Sequence, residues 1–204
     1  MSDKVEVNAI GDACPVPVVK TIKAIKELSG AGSVITKVDN ETAVKNLTKL
    51  ASDKGYGSET KNLEDGTFEV TTTVTGNEAP ATEADADFAD PSKSKVVVVI
   101  SSDQMGVGDE ELGHSLLKNF IYSLTQEDVL PSTMLFYNTG VRMVCEGSPA
   151  LDDLKALQDA GVEILACGIC LNYYNLSDKL AVGEVSNMYA IAGKQLEASV
   201  VVKP

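Results

Sequence analysis

The sequence predicts an α/β protein in two units: a small two-layer βαβαββ sandwich, then a three-layer α/β/α domain with a mostly parallel sheet. Three observations predict it. Apolar residues switch along the chain between the strand period of two and the helix period of 3.6. Residues 76–94, GNEAPATEADADFADPSKS, hold one large apolar residue, Phe88. That is too little to offset chain entropy, so the stretch reads as a flexible acidic linker. Beyond it, Lys95 to Ser101 is a continuous β-branched run, as expected of a strand covered on both faces of a parallel sheet. The predicted division is a first domain over 1–75, the linker over 76–94 and a second domain over 95–204.

In the first domain, Val5 to Ala9 alternates as a short strand. Val16, Val19, Ile22, Ile25 and Leu28 form one helical stripe, ended by Gly30 and Gly32. Ser33 to Val38 alternates again. Asn40 is a cap for a second helix bearing Val44, Leu47, Leu50 and Ala51, closed by Gly55. Two strands, Gly57 to Leu63 and Thr67 to Thr75, meet at the hairpin signal Glu64-Asp65-Gly66. In the second domain, the strand at 95–101 leads through a loop with Gly106 and Gly108 into a helix over Asp109 to Leu124. Its expected core stripe is Leu112, Leu116, Phe120 and Leu124. A strand at Met134 to Asn138 follows, then a helix from Pro149 to Gly161, with proline at its start and glycine at its end. Val162 to Cys167 is a third buried strand, 186–197 reads as a helix, and Ser199 to Val202 as a last strand. Alternating strands and helices imply a parallel sheet with helices on its faces.

Composition narrows function. The 204 residues carry a net charge of -13, 5% aromatics and no Trp. Such a surface repels phosphate backbones and anionic lipids, and it lacks rings for base stacking. No direct nucleic-acid partner is expected, and Lys20, Lys23 and Lys26 read as a solvated helix face. No apolar run approaches the roughly 18 to 20 residues that cross a bilayer, so no membrane span is expected. Asp3, Glu6 and Asp12 break any early apolar block, so no export signal is read and the cytoplasm is the expected compartment. Four cysteines in that compartment point to catalytic, redox or metal-binding roles before structural disulfides.

Cys14 lies in Gly11-Asp12-Ala13-Cys14-Pro15-Val16-Pro17. A residue before proline avoids helical geometry, while proline suits the first helical position. Cys14 is therefore expected at the N-cap, where free amides and the helix dipole favour a thiolate and lower its pKa. The amides of Val16 and Val18 are the expected donors to its sulfur. The same socket suits a persulfide anion, Cys–S–S⁻. Gly11, Pro15 and Pro17 support the motif.

The pair Cys167-Gly168-Ile169-Cys170 directly follows a predicted strand, and reactive groups of open parallel sheets gather at strand carboxyl ends. Three readings stand: a redox or persulfide-accepting pair, a structural pair, or a zinc site. Zinc needs four ligands, and the chain adds only Cys14, Cys145 and His114, so no metal or other cofactor is expected. Cys145 reads as a packing residue beside Met143 and Val144, and His114 as a boundary residue. The loop Ser101 to Gly108 lacks the phosphate-binding glycine patterns and reads as a connection.

Cys14-Pro15-Val16-Pro17, after a short strand and heading a helix in a βαβαββ unit, resembles the TusA/SirA family of sulfur carriers over residues 3–75. The resemblance implies that Cys14 takes a persulfide sulfur from a cysteine desulfurase-type donor and passes it to an acceptor protein. The family's lead-in reads D-x-R-G-L-x-C-P; here Ile10 replaces the basic residue and Asp12 the leucine, an exchange that disfavours a thiolate nearby. The strand ending in Cys-Gly-x-Cys-Leu resembles the DsrE/DsrF type, which implies transferred sulfur on Cys167 or Cys170 and a homo-oligomer through the second domain. The two together, with the turns Asn138 to Val141 and Glu146 to Ser148, resemble the YedF proteins, which implies a role in selenium metabolism. From another class, the altered lead-in leaves a regulatory or scaffolding module that binds a protein partner without chemistry.

Overall fold

The computed structural model describes residues 3–28, 30–75 and 95–204; the linker expected at 76–94 lies outside the described residues. The chain divides into two compact units, Met1–Pro80 and Ala81–Pro204.

The first unit runs β1 (Asp3–Asn8), α1 (Val16–Lys26), β2 (Gly32–Val38), α2 (Glu41–Asp53), β3 (Gly57–Asn62) and β4 (Phe68–Val74), the expected βαβαββ order. Its sheet has the order β1-β2-β4-β3, with β1 parallel to β2 and β4 antiparallel to both of its neighbours. Alternation decides the faces: Val34, Thr36 and Val38 of β2, and Val70, Thr72 and Val74 of β4, are buried. Leu47 and Ala43 of α2 pack with Val38, Val70 and Ala9. The edge strand β3, sequence GSETKN, is exposed throughout, which suits a sheet covered on one face only. Asn40 caps α2 as its sequence predicts, its side-chain oxygen accepting from the Ala43 amide at 2.8 Å. The start of α1 is pinned to the sheet: the buried Thr21 hydroxyl reaches the Pro17 carbonyl at 2.9 Å and the Thr36 hydroxyl at 2.7 Å.

The second unit runs β5 (Val96–Ile100), α3 (Glu110–Leu124), β6 (Thr133–Phe136), α4 (Leu151–Asp159), β7 (Glu163–Cys167), α5 (Gly168–Tyr173), β8 (Glu184–Ser186), α6 (Met188–Glu197) and β9 (Val200–Val202), with 3-10 turns at Asn138–Val144 and Ser177–Lys179. The sheet order is β8-β7-β6-β5-β9 and every pairing is parallel. Alternate residues of each central strand serve opposite faces. Val98, Ile100, Met134, Phe136, Ile164 and Ala166 pack with Leu117 and Ile121 of α3 and with Leu154 and Leu157 of α4. Val97, Val99, Leu135, Leu165 and Cys167 pack with Ile191 of α6. Helices on both faces make the predicted three layers.

Several expectations shift. The buried line of α3 is Gly113, Leu117 and Ile121; Leu112 and Leu116, expected in the core, are exposed. The helix carries two adjacent apolar rows, and the row that starts on a glycine is the one that lies against the sheet. The short α5, β8 and both 3-10 turns are absent from the periodicity, because segments of three to seven residues show too few repeats to register. Among the described residues no helix is long and apolar enough to cross a membrane.

Candidate functional site

Cys14 is exposed and free. The loop before it is built by Gly11, whose φ of +80° lies in the left-handed region that favours glycine. The Gly11 amide donates to the Asp39 carboxylate at 2.8 Å. Asn40 and then Gly11, hydrogen-bonding to that carboxylate, hold Asp39 below its ordinary pKa. The cap differs from the expectation: Pro15, not Cys14, precedes α1 as its N-cap. Nor does the Val16 amide serve the sulfur; it donates to the Ala13 carbonyl at 2.9 Å. That bond closes a tight turn over residues 13 to 16.

The partner that does reach the sulfur comes from α2, where Asn46 Nδ2 donates to Cys14 Sγ at 3.7 Å. Asn46 is 32 positions away, so no local motif could signal it. A pocket of about 250 Å³ opens beside the thiol, lined by Asp12, Pro15, Pro17, Asn40, Thr42 and Asn46 among others. Asp12 is not left as a bare charge near the thiol. Lys20 pairs with it at 2.6 Å and also donates to the Asn8 carbonyl at 3.1 Å.

In the second unit, Cys167 ends β7 and is buried, while Cys170 lies in α5 and is half-buried. They are neighbours: burial raises the Cys170 pKa most, the Asn138 amide opposes that, and the Cys167 thiol adds to the rise. The Asn138 N–H donates to Cys170 Sγ at 3.1 Å. Among the described residues no group of His, Cys, Asp and Glu side chains forms a cluster fit for a metal ion.

Beyond the pair lies a cavity of about 410 Å³, lined by Asp103, His114, Arg142, Cys145, Ser148 and Tyr174 among others. Arg142 pairs with Asp103 at 2.8 Å. Burial raises the Asp103 pKa, but hydrogen bonds from Arg142 and Thr139 outweigh it and leave the carboxyl below its usual range. His114 sits where a boundary residue would, its Nδ1 2.6 Å from the Asp103 carbonyl and its Nε2 3.6 Å from Glu110. Cys145 is buried and its thiol donates to the Val141 carbonyl at 3.1 Å. Burial and then Glu146 raise its pKa, so it packs as the sequence suggests.

The sequence profile described as Sulfurtransferase TusA matches residues 5–74, the stretch that holds Cys14. That of the DsrE/DsrF-like family matches residues 132–204, which hold Cys167 and Cys170. Over 51 residues the chain is 37% identical to a Methanocaldococcus jannaschii protein described as a sulfur carrier, an alignment spanning 25% of this chain and 68% of that protein. A SirA-like protein from Desulfitobacterium hafniense, known as a crystal structure, is 38% identical, with a TM-score of 0.34 over 35% of this chain and 97% of that one. The crystal structure of the ychN protein from E. coli is 18% identical, with a TM-score of 0.44 over 54% of this chain and 99% of that one.

Proposed function

Because the chain belongs through its first unit to the TusA sulfurtransferase family and carries a DsrE/DsrF-like domain behind it, we propose that it carries a sulfane sulfur or selenium atom on Cys14 and relays it to a second thiol. That domain order fits the YedF-type architecture. The observation that carries the reading is the exposed Cys14 thiol, met by the Asn46 amide at 3.7 Å beside a pocket of about 250 Å³. A thiolate there is open to a partner, and the pocket leaves room for one further chalcogen atom.

The chemistry balances without a redox partner. The Cys14 thiolate attacks the outer sulfur of a donor persulfide, R–S–SH, of the cysteine desulfurase type. The donor S–S bond breaks, its electron pair leaves on the donor thiolate, and Cys14–S–SH remains. An acceptor thiolate repeats the exchange and returns Cys14 as thiolate. Within this chain Cys170 suits the acceptor role better than Cys167, since it is half-buried rather than sealed and has an N–H donor at 3.1 Å. Four free cysteines suit the reducing cytoplasm.

The test is intact-protein mass spectrometry after incubation with a cysteine desulfurase and cysteine. Wild type gains about 32 Da for sulfur, or about 80 Da when selenocysteine and a selenocysteine lyase are supplied. Cys14→Ser gains neither. An unloaded wild type, or a loaded Cys14→Ser, rejects Cys14 as the carrier.

A further inference from the structure

We propose that Asn138 and Tyr174 are positioning residues for the Cys170 thiol, and that Arg142 and Asp103 hold Tyr174 in place for that task. The proposal deepens the reading of Cys170 as acceptor and rests on it. The relevant groups come from three separate segments: the loop after β5, the 3-10 turn after β6, and the end of α5.

The turn after β6 has a defined shape. Asn138 has φ +52°, in the left-handed region that asparagine enters more readily than other residues with a side chain. Two residues on, a Cβ at Gly140 would fall 2.1 Å from the Ile100 carbonyl oxygen, so the turn is pressed against the end of β5. The result is a backbone N–H at Asn138 that points at Cys170 Sγ, 3.1 Å away.

Tyr174 fixes the other side of Asn138. Its hydroxyl donates to Asn138 Oδ1 at 2.8 Å. The guanidinium of Arg142 lies 5.0 Å from the centre of the Tyr174 ring, a cation–π distance. Arg142 in turn donates to Asp103 Oδ2 at 2.8 Å, a carboxylate on a residue that is only 9% exposed. The chain Asp103–Arg142–Tyr174–Asn138–Cys170 is therefore continuous. Asn138 and Arg142 are exposed, so this chain contributes little to the core. What it does is keep one donor on one sulfur. A hydrogen bond to sulfur favours the thiolate over the thiol, and the thiolate is the form that attacks the outer sulfur of a persulfide.

The test is site-resolved alkylation of the full chain with iodoacetamide across pH 6 to 10 (roughly the range in which thiols titrate), read by peptide mass spectrometry. Tyr174→Phe and Asn138→Ala are each expected to slow Cys170 at pH 7.5 by about three- to tenfold, the worth of one hydrogen bond. Each also moves the Cys170 profile to higher pH and leaves the Cys14 profile unchanged. The double variant is expected to lose no more than the larger single, because both cut the same chain. Arg142→Gln, at an exposed position, gives the same direction with a smaller loss. Profiles that overlay wild type, or single losses that simply multiply, overturn the proposal. Alkylation reads thiol ionisation whether or not sulfur arrives. If the profiles shift as expected but no sulfur reaches Cys170 in the loading assay, the acceptor reading fails alone. If sulfur arrives with profiles unchanged, the positioning proposal fails alone.

Discussion

At Cys14 the sulfur meets a neutral amide, while the nearby cation is engaged elsewhere. Asn46 Nδ2 donates at 3.7 Å, and Lys20 is drawn to Asp12 and to the Asn8 carbonyl. A hydrogen bond at that length is at the weak end of the range, worth up to about 1 kcal/mol, or about fivefold in rate. Asn46→Ala should therefore slow iodoacetamide alkylation of Cys14 at pH 7 by about two- to fivefold without lowering the thermal midpoint; an unchanged rate would show that the amide is a bystander. His114 offers a test in pH. The hydrogen bond to the Asp103 carbonyl raises its pKa most, burial opposes that, and the Asp103 charge and the Glu110 carboxylate add to the rise. A raised folded value means the stabilisation is complete below the unfolded value of 6.5 and is lost as pH rises through the folded one. The urea midpoint of wild type should exceed that of His114→Gln at pH 5.5, and the gap should close by pH 8.5 (about two units above the ordinary histidine value). A gap constant in pH would remove the histidine charge from the account.

Among the elements, α3 shows most clearly what a sequence can and cannot reveal. Its cap, Asp109, whose side chain accepts from the Leu112 amide, is given by the structure. Its existence and its length are legible, because apolar residues at helical spacing over that many positions admit few other readings. Its rotation is not: Leu112 and Leu116 lie one position before Gly113 and Leu117, and periodicity alone does not rank two adjacent rows. Truncation separates them. Leu117→Ala should cost about 2–5 kcal/mol, as for a fully buried leucine, whereas Leu116→Ala should stay within about 0.5 kcal/mol; equal losses in denaturant titrations would contradict this orientation. The same limit governs the sites. Cys14 and the Cys167/Cys170 pair stand out because a thiol next to a proline, or two thiols three positions apart, are local signals. Asn46 and Asn138 each act on a sulfur 32 positions away, so only the fold brings them in. The helix cap moved from Cys14 to Pro15 for a local reason, since the Val16 amide closes onto the Ala13 carbonyl.

Across the whole chain, the proposed carrier thiol, Cys14, lies on the first unit and the proposed acceptor, Cys170, on the second, and the sequence between them bears on how sulfur would pass. Residues 76–94 have the composition of a linker, and 19 extended residues reach about 60–70 Å. A flexible tether of that length, proposed from this composition, would give an effective concentration on the order of mM. At roughly 1 μM protein, the proposed transfer from Cys14 to Cys170 of the same chain is then expected to outpace transfer between chains by about a thousandfold. The expected signature is kinetic order. After loading and removal of the donor, sulfur should reach Cys170 with a rate constant that does not change as protein concentration is raised about twentyfold from the micromolar range. Mixing loaded Cys170→Ser with unloaded Cys14→Ser should restore transfer only slowly, because the two thiols then sit on different chains. A rate that scales with concentration would mean that each unit serves a partner outside its own chain: the carrier role of Cys14 would stand, and the relay within the chain would not.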